Sequence, residues 1–131
     1  MKMENPAWRF NGNERKYLEE VLSTGFRAGE DGAFTTRLEQ FFAKTYNVKY
    51  GITFNSGTTT LHSILLAMGC SEGDEILTPA LTPAMCGLAP HYTGATPVYV
   101  DSLADTFLMD PEDIKRKITS KTKVIFVTHM Y

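Results

Sequence analysis

The sequence predicts an α/β fold with a mostly parallel sheet and flanking helices, and three observations carry that prediction. From Lys49 onward, short β-like runs alternate with helical stretches to the end of the 131 residues, the pattern of strands joined by helical crossovers. The run at 75–78 lies between Gly73 and Pro79, and the run at 97–100 opens on Pro97 shortly after Gly94, as strand ends do. The stretch Asn55-Ser56-Gly57-Thr58-Thr59-Thr60-Leu61-His62 sets a glycine between a β-like run and a helical one.

Before that alternation, residues 13–22 read as a helix, with Tyr17, Leu18, Val21 and Leu22 at helical spacing and Gly25 as a stop. Residues 25–32 hold three glycines and three charges and read as a loop. A second helix is predicted over 36–46, striped by Leu38, Phe41, Phe42 and Tyr46. These two helices are either an arm on a larger body or a partner-contact surface. The division expected is a helical arm at 1–48 and the first part of an α/β domain at 49–131.

Within the α/β part, 50–54 is β-like and 57–68 helical, with Leu61, Ile64, Leu65 and Met68 on one face and Gly69 closing it. A strand follows at 75–78, then a helix at 83–92, a strand at 97–100, and a helix at 111–118. Asp110 should cap that last helix, with Pro111 in its first turn. The strand at 123–128 makes four strands in all. Val124-Ile125-Phe126-Val127 is apolar enough for a central strand. That composition leads us to expect the chain to be the front part of a longer protein; the alternative is an edge strand of a small complete domain.

Composition narrows the function classes. Hydrophobic residues make up 43% and charged residues 21%, with a net charge of −2. The basic excess that neutralises phosphates in nucleic-acid proteins is missing, and no apolar run approaches the ~20 residues of a membrane span. Cys70 and Cys86 make no CxxC or Cys/His metal spacing, and no apolar leader opens the chain, so reduced thiols in a cytoplasmic protein are expected. No Lys or Arg occurs between Lys49 and Lys115. An anion bound there must be held by backbone amides, hydroxyls and helix dipoles.

The turn at Ser56, Gly57, Thr58 and Thr59 is suited to that task. Gly57 lets a ligand approach the backbone, and the two threonines stand at the positive end of a helix dipole. The alternative is that Ser56 or Thr58 only caps the helix. The Gly-Lys-Ser/Thr of a Walker loop and a GxGxxG turn are both missing. A second feature, Gly73-Asp74-Glu75-Ile76-Leu77-Thr78-Pro79-Ala80-Leu81-Thr82-Pro83-Ala84, ends a strand in a proline-rich turn on the sheet edge where α/β proteins bind ligands.

The order of these pieces resembles the N-terminal part of the DegT/DnrJ/EryC1/StrS family of sugar aminotransferases, which depend on pyridoxal 5'-phosphate (PLP). The matching blocks are Glu19-Glu20-Val21-Leu22-Ser23-Thr24-Gly25, Leu38-Glu39-Gln40-Phe41-Phe42-Ala43, Asn55 to His62, Gly73-Asp74-Glu75-Ile76 with Thr78-Pro79, Gly94-Ala95-Thr96-Pro97-Val98-Tyr99-Val100-Asp101, and Val127-Thr128-His129-Met130-Tyr131. The resemblance covers nearly all of the chain but about the first third of a family member.

The resemblance implies the first part of the large domain of a fold-type-I PLP-dependent transferase. It implies that Ser56, Gly57, Thr58 and Thr59 cradle the cofactor phosphate, with the amides of Thr58 and Thr59 as donors. The position where the family usually stacks an aromatic ring on the cofactor is Pro83 here, which has no π-system. His129 matches a histidine near the family's active site; a satisfied histidine at a strand end is the alternative. The family's Schiff-base lysine falls beyond Tyr131, so the chain alone is expected to lack transaminase activity. The full-length protein is then expected to move an amino group from an amino acid to a keto sugar nucleotide, as a homodimer. A PLP- or pyridoxamine-phosphate-dependent sugar dehydratase of the same family, with histidine in place of that lysine, is one alternative. A non-catalytic remnant that binds a phosphorylated ligand or a partner chain is the other.

Overall fold

The computed structural model describes residues 12–24 and 33–129, so the expected loop at 25–32 lies outside the described residues. The chain divides into two compact units, Met1–Thr53 and Phe54–Tyr131.

The first unit holds α1 (Glu14–Ser23) and α2 (Ala33–Thr45). Both helices are amphipathic as their spacing requires. Tyr17 and Phe34 meet edge to face with centroids 5.7 Å apart, and the Arg37 guanidinium lies 4.7 Å from the Phe34 centroid. Arg37 also pairs with Glu20 at 3.0 Å. The β-like run at 50–54 forms no strand, contrary to expectation. The Thr53 amide and hydroxyl each donate to the Glu39 carboxylate at 2.9 Å, so a side chain takes the donor that a ladder would use. An ideal Cβ on Gly51 would fall 2.5 Å from the Glu39 carbonyl oxygen, which makes glycine necessary at this crossing.

The second unit holds α3 (Gly57–Ala67), β1 (Glu75–Pro79), α4 (Met85–Tyr92), β2 (Thr96–Val100), α5 (Pro111–Lys117) and β3 (Thr122–Ile125). Its sheet has three strands rather than the four expected, in the order β2-β1-β3 and all parallel. β3 pairs with β1 alone among the described residues. The central strand is β1. Its alternation sends Ile76 to one face, among Leu65, Cys70, Ala89 and Ala95, and Leu77 to the other, with Val100 and Met109. Both are fully buried, as a strand covered on two faces requires. Each such aliphatic side chain contributes roughly 1.5–3 kcal/mol through burial.

Two clips fix the layers. Lys123, early in β3, donates to the Gly69 carbonyl at 2.6 Å and pairs with Asp74 at 3.1 Å. On the other face Asp110 caps α5 through the Glu112 amide at 2.8 Å, with Pro111 at the first turn, as the sequence predicts. Asp113 of α5 is nearly buried; it accepts the Asp101 amide at 2.7 Å and pairs with Lys117 at 2.8 Å and Arg116 at 3.0 Å. The Asp101 amide, followed by the two cations, lowers its pKa to about 2.

Candidate functional site

Because the three strands run in one direction, their carboxyl ends share an edge, and the functional residues of α/β sheets gather there. α3 reaches that edge by its start. The Lys123 clip holds Gly69, just past the helix, beside the amino ends of β1 and β3. Leu61 and Leu65 lie on the sheet with Ile76, Val124 and Phe126. A helix rises 1.5 Å per residue, so Gly57 stands roughly 15 Å along the axis from the other end of α3, toward the carboxyl edge.

At the start of α3, Ser56 is the N-cap in extended conformation, and its hydroxyl accepts the Thr59 amide at 3.3 Å. Ser56 therefore caps the helix. It also engages the Thr59 amide, one of the two expected donors. Thr59 is further tied down through its hydroxyl, 2.9 Å from Asn55 Oδ1 and 2.8 Å from the Ser56 carbonyl. The amides of Gly57 and Thr58 belong to the first turn, where no intrahelical acceptor exists. A Cβ built on Gly57 meets nothing within 4 Å. The turn thus presents two aligned N–H groups and open space at the positive end of an 11-residue helix.

The other expected positions lie at the sheet edge. Pro83 is exposed in the turn before α4, and its carbonyl accepts the Cys86 amide at 3.0 Å; the helix accordingly starts at Met85 rather than at 83. His129 is exposed in the irregular segment after β3. The residues just before these two touch each other: Thr82 Oγ1 donates to Thr128 Oγ1 at 3.1 Å. Thr128 Oγ1 in turn lies 3.9 Å from Cys86 Sγ.

Sequence reading missed Thr78, Thr82, Cys86 and Thr128 as a group. One signal was present. Pro90 sits inside α4 four residues after Cys86, and it has no N–H to give the Cys86 carbonyl. The fully buried Thr78 hydroxyl supplies that donor at 3.0 Å. A proline within an apolar helical pattern therefore flags an orphan carbonyl that some buried hydroxyl must meet.

The chain matches the model of the DegT/DnrJ/EryC1/StrS aminotransferase family over residues 9–131. It belongs to that family. It is 42% identical over 120 residues to GDP-perosamine synthase of Escherichia coli O157:H7, a match covering 92% of this chain and 33% of the relative. Among solved structures it is similar to 3-amino-5-hydroxybenzoic acid synthase, with 33% identity and a TM-score of 0.86 over 97% of this chain and 33% of that one. It is also similar to a Streptococcus pneumoniae protein described as a sugar aminotransferase and solved in its PLP form, with 34% identity and a TM-score of 0.80 over 88% of this chain and 29% of that one. The chain thus spans about a third of the length of the curated relatives it matches, and its α/β fold is that of the N-terminal part of fold-type-I PLP-dependent aminotransferases.

Proposed function

We propose that this chain holds the cofactor phosphate of a PLP-dependent sugar aminotransferase, with Ser56, Gly57, Thr58 and Thr59 as the cradle. The observation that carries the reading is the start of α3. Ser56 fixes the turn, the Gly57 and Thr58 amides have no hydrogen-bond partner among the described residues, and the space a Gly57 side chain would take is open. Those residues fit a phosphate bound without a cation. When bound, PLP supplies an electron sink for amino-group transfer. The residues of this chain hold its phosphate and frame the sheet edge beside it, where Pro83 gives a flat but non-aromatic wall and His129 is available for a polar contact.

The full-length protein, in this reading, transfers an amino group from an amino acid to a nucleotide-linked keto sugar, the substrate class suggested by the GDP-perosamine synthase relative. It does so as a cytoplasmic homodimer. Two free cysteines support a reducing compartment. The exposed apolar residues Leu18, Leu22, Phe41 and Phe42 of the helical arm support self-association. No described helix is long and apolar enough to cross a membrane.

The chain by itself should not form an imine with the cofactor. Lys115, Lys117 and Lys123 donate to carboxylates or backbone carbonyls, so their nitrogens are engaged with groups of the chain itself. The test titrates the chain with PLP and with pyridoxal, which lacks the phosphate, then adds borohydride. PLP is expected to bind at least about tenfold more tightly, as a charge-assisted phosphate site implies, and no lysine should be labelled stoichiometrically. Equal affinity for the two compounds sinks the cradle. A stoichiometric adduct at one lysine sinks the inactivity of the chain alone.

A further inference from the structure

We propose that Thr128 is a positioning residue, whose hydroxyl latches the β1–α4 turn to the segment after β3 and so sets Pro83 and His129 against the bound cofactor. The inference rests on the PLP reading above. Thr82 lies in the turn, Thr128 lies 46 positions later, and one hydroxyl–hydroxyl bond of 3.1 Å joins them. Thr128 Oγ1 also lies 3.9 Å from the Cys86 sulfur at the start of α4, a contact in which either group can donate. Cys86 is itself held from below, because the Thr78 hydroxyl takes its carbonyl at 3.0 Å. The turn is therefore tied to β1 at one end and to the β3 side at the other.

The latch is half-buried and its outer neighbours are not. Thr82 and Thr128 are partly covered and Cys86 is buried, whereas Pro83 and His129, one residue after each threonine, are exposed on the carboxyl edge. Solvent therefore competes weakly for the bond and freely for the two groups that it orients. An aromatic side chain could hold its place on a ligand by its own contact area; Pro83 is small and depends on the backbone that carries it.

Thr128→Val keeps the shape and removes both contacts. Three readouts are taken on the 131-residue chain: thiol-reagent labelling of Cys86 with Cys70 as internal reference, PLP affinity by absorbance, and inorganic phosphate affinity. Thr128→Val should speed Cys86 labelling and weaken PLP binding by roughly threefold to tenfold each, the range one such hydrogen bond supplies. Cys70 labelling, phosphate affinity and the melting temperature should stay unchanged, and Thr128→Ser should restore both affected readouts. Thr82→Val, which leaves the Thr128–Cys86 contact in place, should copy the loss of PLP affinity, and the double variant should add nothing further to that loss than Thr128→Val. Unchanged Cys86 labelling overturns the latch. Faster Cys86 labelling with unchanged PLP affinity overturns its positioning role. Equal losses for PLP and phosphate overturn it as well, since the effect would then reach the cradle. An unsubstituted chain that binds neither PLP nor phosphate overturns the cofactor reading itself, and the role of Thr128 with it.

Discussion

The two units of this chain use apolar residues in opposite ways. In the second unit β1 buries Ile76 and Leu77 on opposite faces of the sheet, and helices cover both. In the first unit no described residue is buried, and Leu18, Phe41 and Tyr46 each remain more than 60% exposed on well-formed helices. An amphipathic stripe is therefore evidence that a helix has a partner and says little about where the partner is. Alternation along a strand is more informative, because it fixes which side chain goes to which layer.

That contrast can be broken most forcefully at Leu77. Leu77→Ala removes a fully buried side chain and should cost about 2–5 kcal/mol by denaturant unfolding. Phe42→Ala, at a 47% exposed position of α2, should cost under about 1 kcal/mol in the same measurement. Comparable losses would mean that the first unit has a core of its own.

The next effect is one of pH. The Asp113 carboxyl is lowered to about 2 from an ordinary value of 3.8. A folded pKa below the unfolded one gives stability that is present above about pH 4 and lost as pH falls toward 2. Asp113→Asn should flatten that part of the acid-unfolding profile, and Glu39→Gln should do so more weakly, because the part-buried Glu39 carboxyl is lowered by the Thr53 donors rather than by a cation.

Gly57→Ala sharpens the comparison by separating binding from folding. Its methyl meets no atom within 4 Å, so stability should move by less than about 0.5 kcal/mol. PLP affinity should nevertheless fall severalfold. An undiminished affinity removes Gly57 from the cradle. The smallest effect is expected at Glu39→Gln, which should speed hydrogen exchange at the Thr53 amide and leave the melting temperature in place.

Much of the second unit was legible because local signals agreed. Asp110-Pro111 marked the start of α5, Ser56-Gly57 the start of α3, and Pro79 the end of β1, each by backbone chemistry that a neighbour cannot easily override. The failures have one cause. Residues 50–54 have strand composition, but a strand exists only through its pairing, and Glu39 took the Thr53 donor. Position within a sheet likewise depends on neighbours that a local window does not contain. At the site, the turn at 56–59 could be read because its residues are contiguous. The Thr82–Thr128 contact spans 46 positions and carries no periodic mark.

Pro90 gives the history of such a sequence a direction. The Cys86 carbonyl is satisfied by Thr78 because Pro90 cannot satisfy it. An ancestor that lost the proline first would keep a harmless spare hydroxyl. One that lost the threonine first would bury an unmet carbonyl and be selected against. The two positions are thus free to drift in one order and barred in the other, so descendants with alanine at 90 and threonine at 78 should be far commoner than those with proline at 90 and valine at 78.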